Sequence, residues 1–215
     1  MIVGIGGKAA TGKTTAAKHL KPLFDCEVHI IPMAMVLRDE VEAFLRAVGA
    51  QDSVPLVYGD QEDKVQLFYV DQQRALAECG QWADFVAVNQ NIQDRDGMTA
   101  VTVRLILQWW GTEYRRASDP DYWVKAWERK IKQYDLERCH VLVDDIRFVN
   151  ELTLVRRLGG KLVKVERPGF NGANNHASET SLDDFDQWDQ ILCNDGTLEQ
   201  FEEMVSALPD ALCGD

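Results

Sequence analysis

One short stretch constrains the fold more than any other. Gly7-x-x-x-x-Gly12-Lys13-Thr14 stands between an apolar, β-branched run (MIVGIGG) and a segment, KTTAAKHLKPLF, that reads as a helix stopped at Pro22. Strand, glycine-rich turn and helix in that order form the setting of a phosphate-binding loop. The chemistry needs these residue types. Gly7 and Gly12 let backbone N–H groups turn inward without interference from a Cβ, and the loop residues Lys8 and Ala10 follow the same curve. The helix N-terminus adds partial positive charge. Lys13 is expected to reach the β- and γ-phosphates of ATP, with Thr14 on Mg²⁺ and Thr15 at the first helical turn. The alternative is a βα turn with no ligand.

The remaining pattern alternates strands and helices, which predicts an α/β protein with a mostly parallel sheet flanked by helices. CEVHII, HVLVDD, KLVKVERP and DQILCN read as further strands. MVLRDEVEAFLRAVG reads as a helix ending at Gly49, residues 50–60 as a loop, and KVQLFYVDQQRALAEC and QWADFVAVNQNIQD as helices. DRDG marks a turn, and one long helix is expected from about Thr99 to Ala117. TLEQFEEMVSAL carries a capping box at Thr197 and Gln200. A single domain is expected over residues 1–215, with a core at about 1–32 and 139–215. The largely helical stretch of about 33–138 reads as an insertion over the carboxyl edge of the sheet, where open α/β folds bind ligands.

Charge narrows the function. The chain has 215 residues, 46% of them hydrophobic, and sets 23 Lys and Arg against 35 Asp and Glu for a net charge of −12. Such a surface argues against coating nucleic acid, and any anionic ligand needs a local group of cations. Cys26, Cys79, Cys139, Cys193 and Cys213 are scattered without a C-x-x-C pair, so reduced thiols in a cytoplasm are expected. No apolar run approaches membrane-spanning length.

Two further segments carry candidate chemistry. In VRLILQWWGTEYRR, at about 3.6 residues per turn, Arg104, Gln108, Gly111, Thr112 and Arg115 share one side of a mostly apolar helix. Arginines on a buried helix need anionic partners, either protein carboxylates or a phosphate, which suits the guanidinium fork. Gly111 would let a ring or phosphate approach the backbone. Trp109, Trp110 and Tyr114 are candidates for a wall that excludes a ribose hydroxyl. In HVLVDDIRFVNE, Asp144 and Asp145 end a strand beside the phosphate loop, where an acid holds Mg²⁺ through water. Arg147 and Glu151 follow. Ordinary helix capping by Asp145 and a surface salt bridge to Arg147 are the alternative. Arg167, at the base of the irregular loop ERPGFNGANNHASET, is placed to close over phosphates as a lid. His176-x-x-Glu179 offers only two metal ligands, so an anchoring or capping role fits it better. Ser181, Asp183 and Asp184 read as a helix start.

Taken together, the phosphate loop, LQWWGTEYRR with Trp123 downstream, DDIRFVNE, and GGKLVKVERPG followed by HASE resemble the phage-type deoxynucleoside monophosphate kinases over residues 1 to 180. The resemblance implies a P-loop kinase fold with a substrate-binding helical part and a lid loop. It further implies ATP as donor, Mg²⁺ as cofactor, a dNMP as acceptor, a homodimer, and a phage source in a host cytoplasm. It places Arg104, Gln108, Gly111, Thr112, Trp123, Asp145, Arg147 and Glu151 around the dNMP, with Arg38 and Arg74 added by region. Lys13, Arg115, Arg147 and Arg167 are the expected catalytic cations, and Thr14 and Asp144 the metal residues. Transfer to a phosphate oxygen needs no general base, only cations that bring two polyanions together. Another small-molecule P-loop kinase, of the phosphomevalonate kinase kind, and a nucleotide-binding ATPase module remain the alternatives.

Overall fold

The computed structural model describes residues 1–89, 94–170 and 177–213. They form two compact units, one of Met1–Ala34 and Val124–Asp215, the other of Met35–Trp123. The second lies within the 33–138 stretch read as an insertion.

The first unit is built on five parallel strands. They are β1 (Ile2–Gly6), β2 (Glu27–Ile30), β6 (Cys139–Ile146), β7 (Lys161–Glu166) and β8 (Gln190–Cys193), in the order β2-β6-β1-β7-β8. Every residue of β1 is buried. A central parallel strand is covered on both faces, which is why β1 reads as an unbroken apolar run. Helices α1 (Lys13–Leu20), α8 (Val149–Arg157) and α10 (Leu198–Ser206) belong to this unit. Val3, Ile5, Ala16, Leu20, Val163 and Phe201 form part of its core. Pro22 falls in a 3₁₀ turn directly after α1, and the Thr197–Gln200 capping box forms at the start of α10. A last short helix, α11 (Leu208–Cys213), has no counterpart in the sequence reading.

Sheet order sets the chemistry. Strands β6, β1 and β7 are neighbours, so their carboxyl ends bring Asp144–Asp145, the glycine loop and Arg167 to one edge. This is the edge at which doubly wound sheets hold ligands.

The second unit is not helical throughout, and three expectations are corrected. Residues Leu67–Asp71 form a strand, β3, rather than the first part of a helix; only α4 (Gln72–Glu78) is helical. Phe68, Tyr69 and Val70 favour a pleated surface, and the Asp71 carboxylate then caps α4 by accepting the Arg74 N–H at 2.8 Å. The long helix expected from Thr99 begins instead with strand β5 (Met98–Thr102), and α6 spans only Val103–Trp109. Thr102 ends the strand and caps the helix, accepting the Leu105 N–H. Residues 50–60 contain a 3₁₀ turn and α3 (Pro55–Tyr58) rather than a plain loop. Strands β3, β5 and the two-residue β4 (Asp94–Arg95) pair antiparallel in the order β3-β5-β4. The DRDG turn closes β4 onto β5 with both Asp96 and Gly97 at positive φ, the backbone a tight hairpin requires. Helices α2 (Met35–Ala47) and α5 (Trp82–Val88) complete the unit's packing around Val41, Phe44, Trp82, Phe85 and Ile106. Residues 90–92 of the expected helix over QWADFVAVNQNIQD lie outside the described residues, as does Gln93. Helix α7 (Tyr122–Ile131) leads back to the first unit.

Candidate functional site

The glycine loop closes on itself around a buried lysine. Gly7, Ala10 and Gly12 all have positive φ, which Ala10 alone of the three pays for with a Cβ. A Cβ on Gly7 would lie 2.3 Å from the Val165 carbonyl oxygen, so that position admits no side chain. Lys13 Nζ donates to the carbonyls of Gly7 at 2.7 Å and Lys8 at 2.6 Å. Burial first, then the positive charge of Arg147, lowers the Lys13 pKa to about 8; Glu179, Asp145 and Asp144 act in the other direction. The loop is braced from just past β8, where the Asn194 side chain donates to the Thr11 carbonyl at 2.8 Å. Asn194 was missed in the sequence, since nothing in DQILCN marks its last residue. Lys8 points to Asp183, 3.2 Å away. Thr15 lies in the first turn of α1, half-buried.

The two acids of β6 divide. The Thr14 hydroxyl donates to Asp144 at 2.7 Å. A hydroxyl and a buried carboxylate side by side are hard oxygen donors, and this pair fits Mg²⁺. Asp145 instead accepts the backbone N–H groups of Met33, at 2.6 Å, and Ala34, at 3.1 Å. Glu151 is buried and accepts the N–H groups of Arg147 and Phe148, which caps α8. Capping of α8 thus falls to Glu151 and not to Asp145, whose carboxylate serves the amides just ahead of α2.

Arg147 donates through Nη1 to the Glu179 carboxylate and to the Ser178 carbonyl. Glu179 sits in α9 (Ala177–Thr180) and also accepts the Ala9 N–H of the glycine loop at 2.8 Å. Burial raises the Glu179 pKa, but the Arg147 charge and the hydrogen bond from the Ala9 amide outweigh it, so the net direction is down. Glu179 is therefore an anchor, while His176 of the same motif lies outside the described residues. The helix start expected at Ser181, Asp183 and Asp184 does not form: α9 ends at Thr180 and a turn follows over residues 181–184. Arg167 is exposed, with its guanidinium 4.3 Å from the Phe170 ring centre. A cavity of about 380 Å³ opens beside the loop, lined by Gly7, Lys8, Arg147, Arg167, Phe170 and Trp188 among others. Its size is that of a small-ligand pocket.

In the second unit the polar stripe is broken. From Trp110 to Arg116 the helix widens to π geometry, so residues beyond Trp109 rotate out of phase with Arg104. Arg115 lies 2.8 Å from Glu40 through both Nε and Nη2, the carboxylate alternative of the two weighed for it. Glu40 also accepts from Trp110 Nε1 and the Tyr122 hydroxyl. Nothing in the sequence marks Glu40, whose partners lie 70 to 82 residues away along the chain. Gly111 serves packing: a Cβ there would come within 3.1 Å of Leu37, and its carbonyl accepts from buried Trp123 Nε1 at 2.8 Å. Trp109 and Trp110 are core residues, and Tyr114 stacks on Trp109, so the three do not form an open wall.

What remains available is a smaller set. Arg104 and Gln108, one turn apart on α6, are both half-exposed. Among the described residues Arg104 bonds only neutral oxygens, the side chain and carbonyl of Gln61. Arg38 on α2 and Thr112 are half-buried, and Arg74 on α4 is exposed. Among the described residues no carboxylate pairs with Arg38, Arg74 or Arg104, no group of three His, Cys, Asp or Glu could hold a metal, and no helix is long and apolar enough to cross a membrane.

Comparison with known proteins adds an independent line. A family model described as "Deoxynucleotide monophosphate kinase" matches residues 30–205. A protein of Acanthamoeba polyphaga mimivirus, provisionally given the same name, is 33% identical over 40% of this chain and 44% of its own length. The deoxynucleotide monophosphate kinase of Escherichia phage RB69 is 27% identical over 50% of this chain and 44% of its own. That of Enterobacteria phage T4 is 30% identical over 54% and 49%. The chain spans about half the length of the curated relatives it matches.

Proposed function

The chain belongs to the deoxynucleotide monophosphate kinase family, and from that premise we propose that it transfers the γ-phosphoryl group of ATP to a deoxynucleoside monophosphate. The observation that carries this reading is the glycine loop. Three positive-φ residues curl the backbone around buried Lys13, and Thr14 is bonded to Asp144 at the loop's end. That arrangement suits a polyphosphate and little else.

In this reading the inward amides of the loop take the β- and γ-phosphates, and Lys13 exchanges its two carbonyl partners for phosphate oxygens. Mg²⁺ held by Thr14 and Asp144 would neutralise charge that develops between the β- and γ-phosphates. Arg147 reaches the transferring group, and Arg167 closes over the donor from the end of β7. The donor's base and ribose occupy the cavity beside Phe170 and Trp188. Arg104, Gln108 and Thr112 bind the acceptor nucleotide, with Arg38 and Arg74 adding positive charge. Asp145 and Glu151 act on the acceptor indirectly, by fixing Met33–Ala34 and the start of α8. Trp123 and Gly111 hold the shape of the second unit. Arg115 anchors that unit through Glu40, which already matches its charge. The accepting oxygen is already anionic, so the residues need to align and neutralise, not to remove a proton.

The test is a panel of dAMP, dGMP, dCMP and dTMP with ATP and Mg²⁺, run beside ribonucleotides and non-nucleotide phosphate monoesters. Conversion of at least one dNMP to its diphosphate is the expected result. ATP hydrolysis that no acceptor accelerates would point to an ATPase module, and transfer only to a non-nucleotide would point to another small-molecule kinase.

A further inference from the structure

We propose that Glu179 is the positioning residue for Arg147, setting the guanidinium against the glycine loop so that its remaining N–H groups face the transferring phosphate. The inference rests on the kinase reading above, and in particular on Arg147 touching that phosphate.

One carboxylate makes both connections. Oε2 accepts the Ala9 N–H of the loop at 2.8 Å, and Oε1 pairs with Arg147 Nη1. The Ser178 carbonyl takes the same Nη1 at 3.2 Å. Glu179 thereby joins the loop after β1 to the residue that follows β6. Both carriers of phosphate chemistry are referenced to a single group.

The anchoring helix argues that the charge has a use beyond packing. Helix α9 has four residues, Ala177–Thr180, and Glu179 is its buried one. Four residues do not hold a helix together on their own, so the contacts of Glu179 dock the segment. An apolar side chain would dock it at lower cost, since a buried carboxylate must recover its lost hydration from partners. Here the partners are the loop amide and the arginine that the reaction requires.

Arg147 is left suitably placed. Its backbone N–H is held by Glu151 and its Nη1 by Glu179 and Ser178. Among the described residues, Nε and Nη2 meet no protein acceptor. Arg147 lines the cavity beside the loop, and its side chain is about one-third exposed. An arginine fixed at one nitrogen and open at the others is a donor set in place before its anion arrives, which lowers the cost of ordering it during the reaction.

Glu179→Gln keeps the shape and one acceptor oxygen but removes the charge. The expected result is a ten- to hundredfold fall in kcat, with the Kd for MgATP, read by calorimetry, changing less than threefold. In an Arg147→Ala background the same substitution should cost less than threefold, because nothing is left to position. Unchanged kcat, or a full additional loss in the Arg147→Ala background, overturns the proposal while wild-type transfer to a dNMP upholds the kinase reading. A second measurement is free of turnover and of the variant's folding. In wild-type protein, arginine-selective ¹⁵N NMR should show slow rotation of the Arg147 guanidinium, assigned through Arg147→Lys. Freely averaging Arg147 signals would overturn the proposal even if no dNMP is phosphorylated.

Discussion

Arg115 Nε and Nη2 both lie 2.8 Å from the same oxygen of Glu40. The pair is less than one-third exposed on either side, and Trp110 and Tyr122 donate to the same carboxylate. Removing one partner leaves the other with its hydration lost and its charge unmatched. Arg115→Ala should therefore destabilise the protein by about 1–3 kcal/mol, and Glu40→Gln by a similar amount. The double variant should cost less than the sum. Urea unfolding reads all three; an Arg115→Ala protein with an unchanged midpoint and a collapsed kcat would return this arginine to the reacting phosphates.

Arg104 offers the opposite test. It bonds neutral oxygens of Gln61 and is half-exposed, so its loss removes little from the fold. Arg104→Ala should raise the KM for the dNMP ten- to hundredfold while stability moves by no more than about 0.5 kcal/mol. An unaltered KM would remove Arg104 from the acceptor site.

Gly111 separates packing from ligand contact. The Cβ of Gly111→Ala would press on Leu37 at 3.1 Å, and the expected cost is about 1–2 kcal/mol. Leu37→Ala combined with it should remove most of that added cost. Equal costs in the two backgrounds would show that something other than Leu37 fills the space.

Metal dependence follows from the Thr14–Asp144 pair. Chelation by EDTA should stop transfer, and Thr14→Val or Asp144→Asn should raise the Mg²⁺ concentration at half-maximal rate by tenfold or more. A magnesium titration of the three proteins decides it, and superimposable curves would place the ion elsewhere.

Acid stability has one well-defined contributor in the first unit. The Asp189 carboxylate pairs with Arg156 and accepts the Leu162 N–H, both at 2.6 Å. Burial raises its pKa, yet Arg156 and the Leu162 amide together hold it below the ordinary 3.8. A carboxylate with a depressed folded pKa stabilises at pH above the unfolded value and loses that contribution as pH falls through the folded one. Asp189→Asn should thus cost about 1–2 kcal/mol at pH 7, and the gap from wild type should close below pH 3.8. Thermal melts from pH 7 to pH 3 would show it; a constant gap would refute the assignment.

The first unit was legible because its strands are buried on both faces and its loop motif is local. MIVGIGG, HVLVDD and KLVKVE carry their own pattern, and the capping box at Thr197 needs only four residues to be recognised. The second unit was harder. Leu67–Asp71 and Met98–Thr102 each run straight into a helix, so one apolar pattern merged two elements. The β-branched Thr99, Val101 and Thr102 just after Gly97 were the available sign. The π turn over Trp110–Arg116 leaves no mark in composition, yet it decides which side chains align with Arg104. Partners distant in sequence, such as Glu40 for Arg115 and Asn194 for Thr11, exist only once the chain has folded.

Asp144 and Asp145 are consecutive and part ways where β6 carries one residue more than β1, Gly4 standing opposite Val143 and Gly6 opposite Ile146. One acid therefore serves the Thr14 hydroxyl and the other the amides of Met33 and Ala34. Losing one residue there would restore regular pairing with β1 and turn one of the two acids away from its partner.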